Sequence, residues 1–378
     1  MFESLWFPWK LARQYRGRRR PPRSPKAHRC GTRLCVEQLE DRTLPSNFTA
    51  ATVSDLIADI NAANLAGGTN TITLTAPTAS PYVLTAVDNT SSGPTGLPVI
   101  ANKGLTIVGN GDTIERSTAS GTPAFRLFEV ASGASLTTEN LTLQNGLAAG
   151  TTPNSWDGTG GAFLNFGTLT VNGCTLSSNS ANPPNAPFQG MGGGIGNIGG
   201  TLMVNACTLS GNLANDLGGG IFNLSGHATI QSSTLSGNSA GTATSGGDGG
   251  AINNNAQGTM KIVGCTLSGN VANDSGGAIL NYGTLTVVGC TLSSNSAVFF
   301  GGGIANLGAG TATVESCTVS GNVAGHGGGG IYEQAAFLKV KDSDVCGNSA
   351  PIGADLYNNT VSGGKLDVEN SDICVIFP

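Results

Sequence analysis

The sequence predicts an all-β fold: a single-stranded, right-handed parallel β-helix of about ten coils, with a capping helix at its N-terminal end. Three observations carry that reading. A seven-residue phrase recurs as GCTLSSN at 173–179, ACTLSGN at 206–212, SSTLSGN at 232–238, GCTLSGN at 264–270, GCTLSSN at 289–295 and SCTVSGN at 316–322. The asparagines Asn145, Asn179, Asn212, Asn238, Asn270, Asn295, Asn322 and Asn348 lie 34, 33, 26, 32, 25, 27 and 26 residues apart. A unit near 26 residues, stretched by insertions, is the mark of a solenoid. The composition agrees: 58 glycines in 378 residues and only 11% charged residues, with an ordinary 39% apolar content. Abundant Thr, Ser, Gly and Val with scarce Lys and Glu disfavour helices and favour short strands joined by turns.

Charge divides the chain. Residues 1–44 carry 11 Lys and Arg against 4 Asp and Glu, while the remainder carries 7 against 19. Residues 1–49 therefore read as a basic arm without a core of its own, and 50–378 as the β-helix. An acidic body is a poor binder of nucleic acid. No run of 18 apolar residues exists to span a membrane as a helix. The first twenty residues also lack the apolar stretch of a secretory signal.

The capping helix is expected over 52–68, in TVSDLIADINAANLAGG. Ser54 is its candidate cap, Leu56, Ile57 and Ile60 its apolar stripe, and Gly67–Gly68 its stop. Such a helix would cover the apolar end of a solenoid. GLTIVGNGDTI at 104–114 and FRLFEVASGASLTTENLTLQNG at 125–146 read as early coils, and regular repeats run over 140–350. In GGAILNYGTLTVVGCTLSSNSA, residues 276–297, Leu285 and Val287 alternate with Thr284 and Thr286, and Cys290 and Leu292 alternate with Thr291 and Ser293. Alternation marks strands with one buried face. Three short strands and three turns per coil are expected, and ten or eleven coils stacked about 4.8 Å apart make a rod of roughly 50 Å. The C-terminal end, CVIFP at 374–378, shows no cap; either the last coil shields itself or that end meets a partner.

The recurring polar residues read as masonry. Cys174, Cys207, Cys265, Cys290 and Cys317 share one inward slot, filled by Ser233 and Ser343 in two coils and by Asn140 in an early one. A buried Cys behaves as a small hydrophobe, and no pair has the CxxC or HxxxH spacing of a metal site. Parallel, co-directed side chains are expected to stay free thiols. The eight asparagines are expected to form an internal ladder, each amide bonding the coil above and below.

Chemistry is sparse. Gly325-His326-Gly327 resembles one element of the polygalacturonases, but their Asp cluster and Arg-x-Lys element are missing. Pectate-lyase-like chemistry needs Ca²⁺-binding carboxylates with an Arg base. The only arginines of the body, Arg116 and Arg126, sit in early coils away from any carboxylate column. Asp157, Asp216, Asp248 and Asp274 precede the Gly-Gly of four coils and are the weak Ca²⁺ candidates, since a hard cation needs several oxygens. The reading otherwise expects no cofactor and no catalytic residue. Thr-x-Thr pairs such as Thr284/Thr286 and Thr311/Thr313 resemble those of ice-binding β-helices, but Met203, Lys261 and Lys339 break the array.

The units GGAFLNFGTLTVNGCTLSSNSA, GGGIFNLSGHATIQSSTLSGNSA and GGAILNYGTLTVVGCTLSSNSA resemble the polymorphic outer membrane protein repeat. Residues 50–378 resemble the bacterial right-handed β-helix surface proteins, including the choice-of-anchor type. VEQLEDRTLPS at 36–46 is similar to a motif near the start of large exported bacterial proteins. Two departures stand out: Leu or Val replaces the family's usual Phe in FxxN, and no C-terminal barrel or anchor follows within these residues. The resemblance implies an extracellular, cell-surface or outer-membrane protein acting as a structural or adhesive module, with surface glycans or other surface proteins as partners. The alternative is a polysaccharide-binding or pectate-lyase-like β-helix.

Overall fold

The computed structural model describes residues 46–77, 80–150, 156–182, 190–242, 246–334, 336–360 and 365–377. The basic arm, Cys30 and Cys35 included, lies outside the described residues. The body forms four parallel sheets that stack in register along one axis, the arrangement of a parallel β-helix. It begins at Ser46, four residues before the expected boundary, because Ser46–Ala50 pairs with Thr69–Leu74.

Each regular coil holds four strands rather than the expected three. In one coil these are Thr284–Val288, Thr291–Ser293, Ser296–Ala297 and Ile304–Leu307. The unforeseen strand, Ser296–Ala297, is two residues long and too short to show alternation. Register is strict: Thr284, Leu285 and Val287 face Thr311, Ala312 and Val314 of the next coil. Leu285 and Val287 are buried and Thr284 is exposed, as their alternation required.

The sheet containing Ile304–Leu307 shows no alternation, because both of its faces are covered. One face joins the main core through Ile252, Ile279 and Ile304. The other face buries Leu164, Phe222, Leu280 and Tyr332. The turn before each strand folds over this second face, and the ring of Phe300 stacks on Tyr332 at 4.3 Å.

The Gly-Gly pair opening each such strand has two separate causes. Gly276 has φ +71°, a conformation open to glycine at little cost. Gly277 packs so tightly that a Cβ would strike the carbonyl of Gly302 and the backbone of Ser296.

The only helix among the described residues is Val53–Ala66. Its cap is Thr52, not Ser54. The Thr52 hydroxyl accepts the Asp55 N–H at 3.2 Å, and the Asp55 carboxylate accepts the Thr52 N–H at 3.0 Å. That capping box satisfies the free amides of the first turn and holds the Asp55 carboxyl below its usual range. Leu56, Ile60 and Ala63 face the core, and Gly67 ends the helix. Ile57 is only partly buried.

Candidate functional site

Three internal ladders account for most of the recurring polar residues. In the first, the side-chain NH₂ of each asparagine donates to the side-chain oxygen of the next. Asn179 reaches Asn212 at 3.1 Å, Asn238 reaches Asn270 at 3.0 Å, Asn295 reaches Asn322 at 2.8 Å and Asn322 reaches Asn348 at 2.9 Å. The same oxygens accept the backbone N–H one coil back, as from Asn238 to Asn270 at 3.0 Å. Each NH₂ also donates to a carbonyl, that of Asn270 to Leu235 at 3.0 Å. Asn145 is the exception. Its rung belongs to Gly146, whose N–H donates to Asn179, while Asn145 sits one residue earlier and reaches Glu115. The ladder ends on Asp355, whose carboxylate accepts both the N–H and the NH₂ of Asn348. A carboxylate accepts without donating, so it can close a chain in which every earlier member donates onward.

The second ladder was not foreseen. Asn165, Asn197, Asn223, Asn254, Asn281 and Asn306 bond in sequence at 2.6–2.8 Å, and Asn306 ends on the carboxylate of Glu333 at 2.7 Å. These asparagines recur at nearly the same intervals as the first set. A second anchor placed on FLN, IGN, IFN, INN, ILN and IAN would have found them.

The cysteines make the third ladder. The N–H of Cys174 donates to the Cys207 sulfur at 3.3 Å, that of Cys265 to Cys290 at 3.3 Å and that of Cys290 to Cys317 at 3.4 Å. Ser233 and Ser343 substitute as acceptors for the N–H groups of Cys207 and Cys317. Each thiol in turn donates to the carbonyl two residues back, as Cys317 does to Glu315. The early slot belongs to Leu141, whose N–H bonds Cys174, rather than to Asn140, which takes the left-handed turn position beside it. All five slot cysteines are free and buried. Burial pushes the Cys207 thiol up to about 11 and raises that of Cys174.

Cys346 and Cys374, outside the slot, are joined by a disulfide. They follow Val345 and Ile373, which face one another in adjacent coils. With Asp372 they form the only convergent group of potential metal ligands among the described residues. Bridged sulfurs offer a metal no thiolate.

The four Ca²⁺ candidates do not share a column. Asp248 stands opposite Leu217, so Asp216 stands opposite Gly247, and counting back from the paired Ile252 and Ile279 sets Asp274 opposite Gly247 as well. Asp216 and Asp274 thus align two coils apart, Asp248 falls in the neighbouring column, and Asp157 lies one position earlier still. The column of Asp274 continues into Phe299 and His326 through backbone bonds of 2.9 Å, and those two rings stack at 5.0 Å. The outer ridge is therefore acidic over Asp216–Asp274 and aromatic beyond. Burial pushes the Asp248 carboxyl up to about 7, with repulsion from Asp274 and Asp216 added and the Ser275 N–H opposing. Burial alone lifts Asp216 to about 6. The Ser275 hydroxyl donates to Asp274 at 3.0 Å.

Arg126 is fully buried, with two single carboxylates rather than a carboxylate column near it. It lies 3.9 Å from Glu129 and donates to the carbonyls of Thr159, Ser92, Trp156 and Asp157. That makes it a clamp between the loops around 92 and 157. Burial lowers its pKa to about 10, against the pull of Glu129 and Asp157.

Among the described residues no helix is long and apolar enough to cross a membrane. No protein-family model, curated protein or solved structure matches the chain.

Proposed function

We propose that the chain is an exported bacterial β-helix that serves as a structural or adhesive module at the cell surface, with surface glycans or other surface proteins as its partners. The observation that carries this reading is the complete use of the recurring motif by the interior. Asn, Cys and Gly-Gly serve the coil stack, which leaves a long rigid scaffold with variable Thr, Asp and aromatic positions outside. The Cys346–Cys374 bridge supports the location, since structural disulfides persist in oxidising compartments. Proteinase treatment of intact cells tests it. The expected result is loss of the body while a cytoplasmic marker survives, and full protection of the body would overturn the proposal.

The ridge favours a second reading, a polysaccharide-binding or pectate-lyase-like surface. Two carboxyls lifted by burial to about 6 and about 7 lie on the same ridge as a stacked aromatic pair, with Asp274 in the coil between. Protonated carboxyls give and accept hydrogen bonds with sugar hydroxyls, and aromatic faces pack on sugar rings. Binding or cleavage of uronate polymers that is abolished in Asp248→Ala would establish this reading over the purely structural one.

A further inference from the structure

The two ends of the solenoid differ. At the N-terminal end the helix Val53–Ala66 buries Leu56, Ile60 and Ala63 against the first coils. At the C-terminal end the last coil leaves Val368 41%, Val375 50%, Ile376 46% and Phe377 49% exposed. Leu366–Glu369 is the edge strand of the twelve-stranded sheet. Its inner neighbour uses the carbonyls of Lys365 and Glu369, which accept the N–H groups of Leu338 and Asp342 at 2.8 and 2.9 Å. Parallel pairing alternates, so Leu366 and Val368 direct their N–H and C=O groups off the edge.

An edge with free backbone groups and apolar side chains is a template for another strand. Lys365-Leu366-Asp367-Val368-Glu369 is complementary to itself when laid antiparallel about Asp367. Leu366 then falls opposite Val368 of the partner subunit, both on the core-facing side, and Lys365 falls opposite the partner's Glu369. Leu366 and Val368, whose outward backbone groups meet no strand among the described residues, are the residues this register would hydrogen-bond.

We propose that two copies of this chain pair tail to tail through antiparallel Leu366–Glu369 strands, about a twofold axis at Asp367. A self-complementary patch of this kind closes after two subunits. The register sets Asp367 against its own mate. Each copy also brings Lys339 to that position, 3.3 Å from Asp367 and 2.8 Å from Glu369, which offsets the repulsion.

Sedimentation velocity of the full chain over a concentration series tests the pairing. The expected species is a dimer. Lys365→Glu and Glu369→Lys should each weaken it about tenfold or more, since like charges then face each other twice. An equimolar mixture of the two variants should restore it, because each variant carries the charges the other lacks. A chain that stays monomeric to about 100 μM, open-ended oligomers, or a dimer indifferent to both reversals would overturn the proposal. Should either variant melt below the parent, Asp367→Cys decides the matter in a Cys30→Ser/Cys35→Ser background. A disulfide-linked dimer on mild oxidation is expected there, and its absence refutes the register.

Discussion

Asn253 is the residue least at ease in this fold. It stands in register between Phe222 and Leu280, is fully buried, and neither its amide oxygen nor its nitrogen has a partner among the described residues. An unpaired buried amide costs about 1–3 kcal/mol. Asn253→Leu should therefore stabilise the chain by roughly that amount in urea unfolding, and a loss of stability would show that the amide has an unrecognised partner. Cys290 illustrates the opposite case. Sequence periodicity shows that its slot faces inward, but not that the sulfur accepts the Cys265 N–H, because a thiol's weak hydrogen bond leaves no trace in a hydrophobic pattern. Cys290→Ser keeps an acceptor, as Ser233 and Ser343 do, whereas Cys290→Ala orphans a buried amide. The alanine variant should be the less stable of the two by about 1–2 kcal/mol in urea titration; equal stabilities would reduce the slot to packing alone. Asp216 and Asp248 couple the fold to pH. Burial holds both carboxyls above their unfolded values, so the folded chain keeps protons that the unfolded chain has released. Their contribution to stability is full below about pH 4 and is lost as pH rises towards about 7. Asp248→Asn should raise stability at pH 8 by about 2 kcal/mol, allowing for its partial exposure, and change little at pH 4.

At the scale of the element, the coil was legible where side chains alternate and obscure where they do not. Thr284–Val288 and Thr291–Ser293 declare themselves by period two. Ser296–Ala297 is too short for any period, and Ile279–Asn281 is buried throughout. That segment can be read as the third short strand of the coil, but a strand buried throughout gives its closing Asn281 no alternation to mark it as a rung, and so the second ladder was missed. Asn145 was misread for a related reason: after LTLQ, an Asn one place early looks like its repeats, and only the pairing of Gln144 with Ser177 reveals the slip. Both ladders are polarised, each amide donating towards the C-terminal end, and both finish on an acceptor-only carboxylate, Asp355 or Glu333. Breaking a ladder in mid-run strands donors above and acceptors below. Asn270→Ala should cost about 3 kcal/mol in denaturant unfolding, whereas Thr286→Ala, on the outward face, should cost less than about 0.5. A comparable loss at both positions would refute the division between inner masonry and outer surface.

Over the whole body, the functional contrast is between an interior fixed by three ladders and an exterior whose acidic ridge, aromatic pair and open last coil differ from coil to coil. The fold could be read from the chain because every inward position repeats. The ridge could not, since Asp157, Asp216, Asp248 and Asp274 look equivalent beside Gly-Gly and only the register separates them. The last coil departs furthest from the repeat, and it carries the disulfide. Closing a loop of 28 residues stabilises a fold by roughly 3–4 kcal/mol on chain-entropy grounds, which suits a terminal coil with one exposed end. The most direct test of an exported scaffold with a purely structural interior is a mass-spectrometric thiol census of the native protein recovered from cells. The account predicts Cys346 bridged to Cys374, with Cys174, Cys207, Cys265, Cys290 and Cys317 reduced and unreactive to maleimide until denaturant is added. Free Cys346 and Cys374 thiols, or slot cysteines that label in the folded protein, would contradict it.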